Sequence, residues 1–327
     1  MSLAERILAG ETRAAARLMR NIDDNLPSAR QELRALFPHT GRAMLIGITG
    51  PPGAGKSTLV DQITASFRTR GKRVGIVAVD PTSPFTGGAI LGDRIRMNRH
   101  ANDEGVFIRS LATRGYLGGL SRSTADVANV MDAMGMDVVI IETVGVGQDE
   151  VDIVRLAHTT VVVMVPGMGD DIQAIKAGIL EIGDLFVVNK ADREGADRTA
   201  RDLASMLEFN TYAEGSWRPP VLKTDAQRGT GVEELVQAVQ AHHEWLEQSG
   251  EMFRLLRDKH ATLFQTLLKD RLFAEVWGPL HNNGDFEALL DGIVARTRDP
   301  YSAVEGILEV RLRTIPRTPQ NCFTSDI

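Results

Sequence analysis

A glycine-rich segment that ends in lysine and serine carries the strongest chemical signal in the sequence. It reads Gly-Pro-Pro-Gly-Ala-Gly-Lys-Ser, and it lies between the apolar run Met44–Ile48 and the helix-forming stretch Thr58–Phe67. Glycines let backbone N–H groups surround a phosphate, and the start of the following helix favours negative charge. This spacing predicts that Lys56 reaches the β- and γ-phosphates of a nucleotide and that Ser57 binds Mg²⁺. The residues expected to line the phosphates are Gly50, Pro51, Pro52, Gly53, Ala54, Gly55, Lys56, Ser57 and Thr58.

A second motif indicates which base is bound. The residues Asn189, Lys190, Ala191 and Asp192 follow the apolar run Leu185–Val188. The Asp192 carboxylate can accept hydrogen bonds from the N1–H and the exocyclic amine of guanine, donors that adenine does not present there. Because a buried acceptor without its donor is costly, this site should favour GTP over ATP. The later segment Thr224, Asp225 and Ala226 fits a loop that closes over the guanine.

A third motif lies between these two. The apolar run that starts at Asp137 ends in Glu142, with Gly145 three residues later. Glu142 is expected to hold Mg²⁺, through water, and the Gly145 amide to sense the γ-phosphate. Most GTPases have aspartate where Glu142 stands. Val146 occupies the place of the glutamine that orients water in Ras-like proteins, so we expect slow intrinsic hydrolysis.

Four further residues are candidates for the switch regions. Asp80 ends a strand-like run and is expected to position water, while Asp93 is expected to reach the metal. Asp80 also fits a turn before a proline, and Asp93 fits a helix-start acid. Asp170 and Lys176 lie in a segment with glycines and paired acids, which is typical of a mobile loop near the nucleotide; a plain connection capped by Asp170 is the alternative. With Lys56, the candidates for catalysis are Asp80, Asp170 and Lys176.

Composition excludes several classes of protein. The 327 residues carry a formal net charge of -6, which argues against nucleic-acid binding. The single cysteine, Cys322, permits neither an internal disulfide nor a multi-cysteine metal site. The N-terminus lacks the apolar core of a signal peptide, and no apolar run is long enough for a membrane span, so we expect a cytoplasmic protein without a membrane partner. The histidines lack metal-ligand spacing, and His242 and His243 are expected to be solvated on a surface helix.

Apolar runs of strand length alternate with helix-length stretches through the middle of the chain. The strand candidates are Met44–Ile48, Val74–Val79, Val138–Ile141, Val161–Val165 and Leu185–Val188, with a last one at Val221–Leu222. Runs without polar alternation indicate strands covered by helices on both faces. We therefore expect an α/β fold with a doubly wound, mostly parallel sheet, in which sites lie at the carboxyl ends of the strands.

Helical patterns flank this region on both sides. Residues 3–36 predict two short amphipathic helices, and residues beyond Gly250 predict helices only. We expect an N-terminal helical extension at 1–40, a P-loop GTPase domain at 41–248 and a C-terminal helical arm with a flexible tail at 249–327. Because so few helices form a poor core alone, the arm should pack on the nucleotide domain or on a second copy of itself.

Taken together, the three motifs and the segment Val79–Gly88 resemble the MeaB family of GTPases, over nearly the whole chain. This resemblance implies a GTP-driven chaperone that gates cofactor loading of adenosylcobalamin-dependent methylmalonyl-CoA mutase and protects the mutase. It also implies that the arm mediates homodimerisation. The family's magnesium and switch positions correspond to Ser57, Asp80, Asp93 and Glu142, and its third mobile loop to 170–176.

Two other functions compete with this reading. Nickel-delivering GTPases share a glutamate in the third motif, but they usually carry Cys/His ligands near the nucleotide, which this sequence lacks. The family has also been labelled a transport-system kinase for basic amino acids. That chemistry requires a phosphate acceptor, and nothing in the sequence demands one.

Overall fold

Seven parallel strands form one sheet in the computed structural model, which describes residues 1–80, 98–100, 102–112, 122–143, 153, 156–167, 179–282 and 284–314. The sheet order is β3-β2-β4-β1-β5-β6-β7. Each pair of neighbours in it is parallel. The strands are β1 Met44–Thr49, β2 Val74–Asp80, β3 Val106–Ala112, β4 Val138–Glu142, β5 Thr159–Met164, β6 Leu185–Asn189 and β7 Val221–Thr224.

Helices precede, separate and follow these strands. Short 3₁₀ turns lie at Phe37–His39 and Asn98–His100. The α-helices are α1 Leu3–Leu8, α2 Thr12–Asp23, α3 Pro27–Leu36, α4 Lys56–Thr69, α5 Arg122–Ala133, α6 Ile179–Ile182, α7 Ala196–Glu208, α8 Val232–Ser249, α9 Glu251–Asn282, α10 Asp285–Val294 and α11 Pro300–Thr314.

Helices cover both faces of the sheet, as the continuous apolar runs predict. In β4, Val139 and Ile141 pack into one buried cluster with α5 and the N-terminal helices. The alternate residues Val138 and Ile140 pack into a second cluster with α4 and α8. A third, smaller cluster joins β5 and β6 to α7. The doubly wound α/β fold is confirmed, and all the described strands are parallel.

Three N-terminal helices are present where two were expected. Pro27 is the first residue of α3, where its fixed φ suits a helix start, and it separates α3 from α2. Leu18, Met19 and Ile22 of α2 are buried in the same cluster as Val127 of α5. The chain divides into compact units at Met1–Leu255 and Leu256–Ile327, so these helices share a unit with the sheet.

The carboxylate of Asp132, on α5, holds the segment that leads into β1. It accepts hydrogen bonds from the backbone N–H groups of Gly41 at 2.5 Å and Ala43 at 3.0 Å, and a longer one from Arg42 at 3.3 Å. Asp132 is buried. The segment 41–43 therefore finds its hydrogen-bond partners on a helix side chain before the sheet ladder begins.

Replacing Asp132 with alanine is expected to lower the free energy of unfolding by about 2–4 kcal/mol, because three backbone donors lose their acceptor. Urea denaturation followed by far-UV circular dichroism measures the change. The matched control is Asp202→Ala on the exposed face of α7, which should shift the unfolding free energy by no more than about 0.5 kcal/mol. Equal stabilities of the two variants would contradict this role for Asp132.

Strand β3 is the one described strand that the sequence did not predict. Its polar residues Arg109 and Ser110 interrupt the apolar run, unlike those of the central strands. It pairs only with β2 among the described strands, so it is an edge strand. Arg109 lies 3.7 Å from the Asp23 carboxylate of α2. An edge position tolerates such polar residues, which is why the continuous-run criterion failed here.

His242 is buried, so the expectation that both histidines of the pair are solvated is wrong. Its Nδ1 lies 2.9 Å from the Thr159 hydroxyl, and its ring packs against Trp217 and Trp245. Its Nε2 lies 3.5 Å from the Asp184 carboxylate. Burial, followed by the neighbouring His243, lowers the pKa of His242 from 6.5 to about 4. Desolvation is thus the main cause of the low pKa, although the Asp184 carboxylate lies nearby.

This depressed pKa predicts a loss of stability in acid. Between pH 6.5 and about pH 4 the unfolded chain binds a proton at His242 that the folded chain does not. Stability should therefore fall as pH decreases through this window, by at most about 3 kcal/mol from this group. Urea midpoints at about pH 7.5 and about pH 4.5 should differ less in His242→Gln than in the control His39→Gln, whose histidine is exposed. The same difference in both variants would contradict the prediction.

The C-terminal unit contains most of α9 with α10 and α11. Within it, Trp277 stacks on Phe273 at 5.4 Å between ring centroids and meets Phe286 edge-on at 4.7 Å. Helix α10 has no buried residue. Large apolar side chains stay exposed on all three helices: Phe264, Leu268, Leu272, Phe273, Leu290, Val294, Tyr301, Val304 and Leu308. Among the helices that the structure describes, none is long and apolar enough to cross a membrane.

Candidate nucleotide-binding site

The glycine-rich loop connects β1 to α4, as the sequence predicts. Gly50 has φ 137°, and a Cβ there would lie 2.1 Å from the carbonyl oxygen of Val163. Gly55 has φ 88°, and a Cβ there would lie 2.5 Å from the amide nitrogen of Asn189. Both positions require glycine, because the backbone conformation and the neighbouring atoms exclude a side chain. The loop is thereby held against β5 and against the guanine motif.

Lys56 is the first residue of α4 and is almost fully buried. Its Nζ donates to the carbonyl oxygens of Gly50 at 2.7 Å and Pro51 at 3.1 Å. The ammonium group therefore lies beside the loop and at the N-terminal end of a 14-residue helix. Both features concentrate positive charge where an anion can bind.

Ser57, in the first turn of α4, is hydrogen-bonded to Glu142, the last residue of β4. The Ser57 hydroxyl donates to Glu142 Oε1 at 2.6 Å, and both side chains are buried. The parallel register that pairs Ile48 with Glu142 brings the end of β4 next to the loop. A hydroxyl and a carboxylate are hard oxygen donors of the kind that Mg²⁺ prefers. The two residues thus fit a magnesium site, next to a phosphate-binding loop.

Asn189 joins the glycine-rich loop to the guanine motif. Its amide nitrogen donates to the carbonyl oxygen of Ala54 at 2.8 Å. Its Oδ1 accepts from the Thr224 hydroxyl and from the Ala226 N–H, both at 3.1 Å. Lys190, at φ 58°, donates from Nζ to the carbonyl oxygen of Gly53 at 2.7 Å. These contacts bring together the three segments that the sequence assigns to phosphate and base.

The two acids of the base region differ in their surroundings. Asp192 is exposed. Asp225 is buried, and its Oδ1 accepts from the N–H groups of Gln227 at 3.0 Å and Arg228 at 3.3 Å. The backbone of Asp225 also pairs with Thr230 as an isolated bridge. Asp225 therefore shapes its own loop, while Asp192 is accessible to a ligand.

Five predicted site residues lie wholly or partly outside the described part of the chain. Asp80 is the last residue of β2, but its side chain lies outside the described residues. Also outside them are Asp93, Gly145, Asp170 and Lys176. Two residues that the sequence reasoning missed, Thr49 and Thr143, are buried beside the loop and hydrogen-bonded to each other at 3.1 Å. In the sequence, their positions next to Gly50 and Glu142 could have indicated that they lie at the site.

Comparison with known proteins gives the family. The family described as "Methylmalonyl Co-A mutase-associated GTPase MeaB" matches residues 15–280 of this chain. This chain belongs to the MeaB family. The resemblance seen in the motifs is confirmed, and the MeaB-family chain is a GTPase that binds and hydrolyses GTP.

Individual relatives agree with this membership. The MeaB-family chain is 49% identical over 309 residues to a GTPase of Pyrococcus abyssi, with 94% of this chain and 95% of the relative covered. It is 34% identical over 230 residues to the mitochondrial "Methylmalonic aciduria type A homolog" of Mus musculus, with 69% and 55% covered. A solved structure described as "LAO/AO transport system kinase" matches with a TM-score of 0.71 at 25% identity, covering 95% of this chain and 97% of that one.

Proposed function

We propose that this GTPase is a chaperone of adenosylcobalamin-dependent methylmalonyl-CoA mutase, whose cofactor loading it gates and which it protects from inactivation. The observation that carries this proposal is the match of residues 15–280 to a family described by its association with the mutase. The similarity to a methylmalonic aciduria protein of the mouse supports it. In this proposal, GTP binding and hydrolysis switch the chain between states that differ in their affinity for the mutase.

The phosphates would occupy the loop Gly50–Ser57 and the first turn of α4, including Thr58. Backbone N–H groups of the loop would hold the β-phosphate, and Lys56 would exchange its contacts with the Gly50 and Pro51 carbonyl oxygens for phosphate oxygens. That exchange keeps the ammonium paired in both states, so binding need not expose an unpaired charge.

Guanine would be recognised by Asp192, with Asn189 and Lys190 bracing the pocket and Thr224–Ala226 closing it. The hydrogen bonds of Asn189 to Ala54 and Ala226 connect the phosphate loop to the base loop. This pre-organisation reduces the ordering that the nucleotide must impose.

Ser57 and Glu142 would hold Mg²⁺, with Asp93 as a further group near the metal. Bound Mg²⁺ supplies positive charge beside the β- and γ-phosphates. We propose that Asp80 positions water, that the Gly145 amide senses the γ-phosphate, and that Asp170 and Lys176 act from a third loop. The hydrogen bond between Ser57 and Glu142 is the structural support for the metal part of this scheme.

The C-terminal helices, 249–327 in the sequence-based division, would form a homodimer. The support is the number of large apolar side chains that remain exposed on α9, α10 and α11, including Val294 and Tyr301, each 82% exposed. Groups of exposed apolar side chains commonly mark protein–protein contacts. The cytoplasmic location stays a prediction from the sequence.

The proposal is tested with purified methylmalonyl-CoA mutase. The protein without nucleotide, with GDP and with a non-hydrolysable GTP analogue is mixed with the mutase and passed over a sizing column. We expect co-elution whose extent depends on the nucleotide, and slower loss of mutase activity during turnover when the protein is present. No co-elution in any nucleotide state, together with unchanged mutase inactivation, would overturn the proposed partner.

A kinase activity is the second candidate, because the solved structure of high similarity is described as a transport system kinase. The two functions differ in where the γ-phosphate goes. With γ-labelled GTP, a GTPase switch releases all label as inorganic phosphate, whereas a kinase transfers label to protein or to a basic amino acid. Label on arginine, ornithine or the chain itself would favour the kinase.

A further inference from the structure

Two buried threonines connect β1 to β4 beside the nucleotide site. Thr143 Oγ1 donates to Thr49 Oγ1 at 3.1 Å, and the side chains are almost fully inaccessible. The Thr143 N–H also donates to the carbonyl oxygen of Ile48 at 3.1 Å. The pairing of β1 with β4 thus continues past the end of β4, first through backbone and then through side chains.

Hydrogen bonds connect both ends of the phosphate loop to the end of β4. Thr49 immediately precedes Gly50, and Thr143 immediately follows Glu142. At the other end of the loop, Ser57 donates to Glu142 at 2.6 Å. The loop from Thr49 to Ser57 is therefore tied to the end of β4 at both of its ends, by one hydroxyl–hydroxyl and one hydroxyl–carboxylate hydrogen bond.

We propose that the Thr143–Thr49 hydrogen bond is a positioning device, which sets Glu142 relative to Ser57 for Mg²⁺ and nucleotide binding. The proposal rests on the metal role proposed above for Ser57 and Glu142. Thr143 itself does not touch the metal. A β-branched side chain has a restricted χ1, and a buried hydroxyl is held by its partner. Both properties fix the backbone that carries the Glu142 carboxylate.

The position of Glu142 matters because Mg²⁺ demands near-ideal octahedral geometry. A carboxylate displaced by a few tenths of an ångström would hold the metal and its bound water less well, although the phosphate loop would remain intact. Loss of the Thr143 hydroxyl should therefore raise the Mg²⁺ concentration that tight nucleotide binding requires. Nucleotide affinity at saturating Mg²⁺ should change less. A purely structural hydrogen bond would lower stability without this selectivity.

The variants that test the device are Thr143→Val, which removes the donor, and Thr143→Ser, which keeps it. Thr49→Val removes the acceptor from the other strand, and the double variant combines both valines. The measurement is the dissociation rate of a fluorescent GDP derivative from the full chain as Mg²⁺ is varied. Thermal melting of each variant reports any separate effect on the fold.

We expect Thr143→Val to raise the Mg²⁺ concentration at half-effect by about tenfold, and Thr143→Ser to raise it by less than about twofold. Thr49→Val should resemble Thr143→Val, and the double variant should shift the midpoint no further than either single change. An unchanged midpoint in both single valine variants, or additive shifts in the double variant, would overturn the positioning role.

The same measurement distinguishes an error in the proposed metal site from an error in the proposed role of Thr143. If GDP release from the unaltered protein does not depend on Mg²⁺, the proposed role of Ser57 and Glu142 is wrong, and the inference falls with it. If release depends on Mg²⁺ but the valine variants keep the same midpoint, only the inference is wrong. GTP hydrolysis measured on the same samples shows whether the chain remains an active GTPase.

Discussion

Replacing Lys56 with alanine is expected to weaken GTP binding by at least about 100-fold while the fold remains intact. The proposed role gives Lys56 charge-assisted hydrogen bonds to two phosphate groups, each worth about 1.5–3 kcal/mol. Losing both corresponds to two or more orders of magnitude in the dissociation constant. The fold should survive because Lys56 donates to carbonyl oxygens of its own loop, and because the buried apolar cluster around α4 does not include its side chain.

Titration calorimetry with GTP and Mg²⁺ measures this effect, with thermal melting as the test of folding. Lys72→Ala is the matched control, since Lys72 lies on the surface, 3.6 Å from the Asp137 carboxylate. The control should bind GTP within about twofold of the unaltered protein. Lys56→Ala that binds GTP within about tenfold, or about 1.4 kcal/mol, would contradict the phosphate assignment.

Replacing Asp192 with asparagine is expected to change which base the protein prefers. The carboxylate can accept from both the N1–H and the amine of guanine, whereas an asparagine amide offers only one acceptor and adds a donor. The amide donor can instead bind the 2-carbonyl oxygen of xanthine. We therefore expect GTP affinity to fall by about 100-fold or more and affinity for xanthosine triphosphate to rise above that of the unaltered protein.

Competition against a fluorescent guanine nucleotide measures both affinities. Asp202→Asn, on the exposed face of α7, makes the same chemical change away from the site and should leave both affinities unchanged. The opposite signs of the two expected changes separate a specificity switch from general damage. If Asp192→Asn lost affinity for both nucleotides equally, the loop would be disturbed; if it kept GTP affinity, Asp192 would not read the base.

The central strands could be predicted from sequence because burial on both faces leaves continuous apolar runs. Such runs located β1, β2, β4 and β6 to within one residue at each end. The start of β5 was missed because Thr159 and Thr160 are polar, yet both are buried, with Thr159 paired to His242. Edge strand β3 was missed because an edge tolerates polar residues. Hydropathy cannot report a polar residue whose partner is distant in sequence.

In the site, too, features that depend on local sequence could be predicted, whereas contacts between distant segments could not. Glycine positions and motif spacing identified the phosphate loop, because the conformations of Gly50 and Gly55 are local requirements. The contacts of Asn189 with Ala54 and of Thr143 with Thr49 span 135 and 94 residues. They depend on strand order and register, which single-strand patterns do not contain. The burial of His242 depends in the same way on Trp217 and Trp245.

The proposed function is tested most directly by the rate of GTP hydrolysis, measured for the protein alone and with adenosylcobalamin-dependent methylmalonyl-CoA mutase added. Phosphate release is followed continuously, and Lys56→Ala serves as the inactive control in both arms. We expect a slow basal rate that rises when the complex forms, because in the proposed function the mutase would complete the catalytic geometry of the switch. An identical rate with and without mutase, with no complex at any nucleotide state, would contradict it.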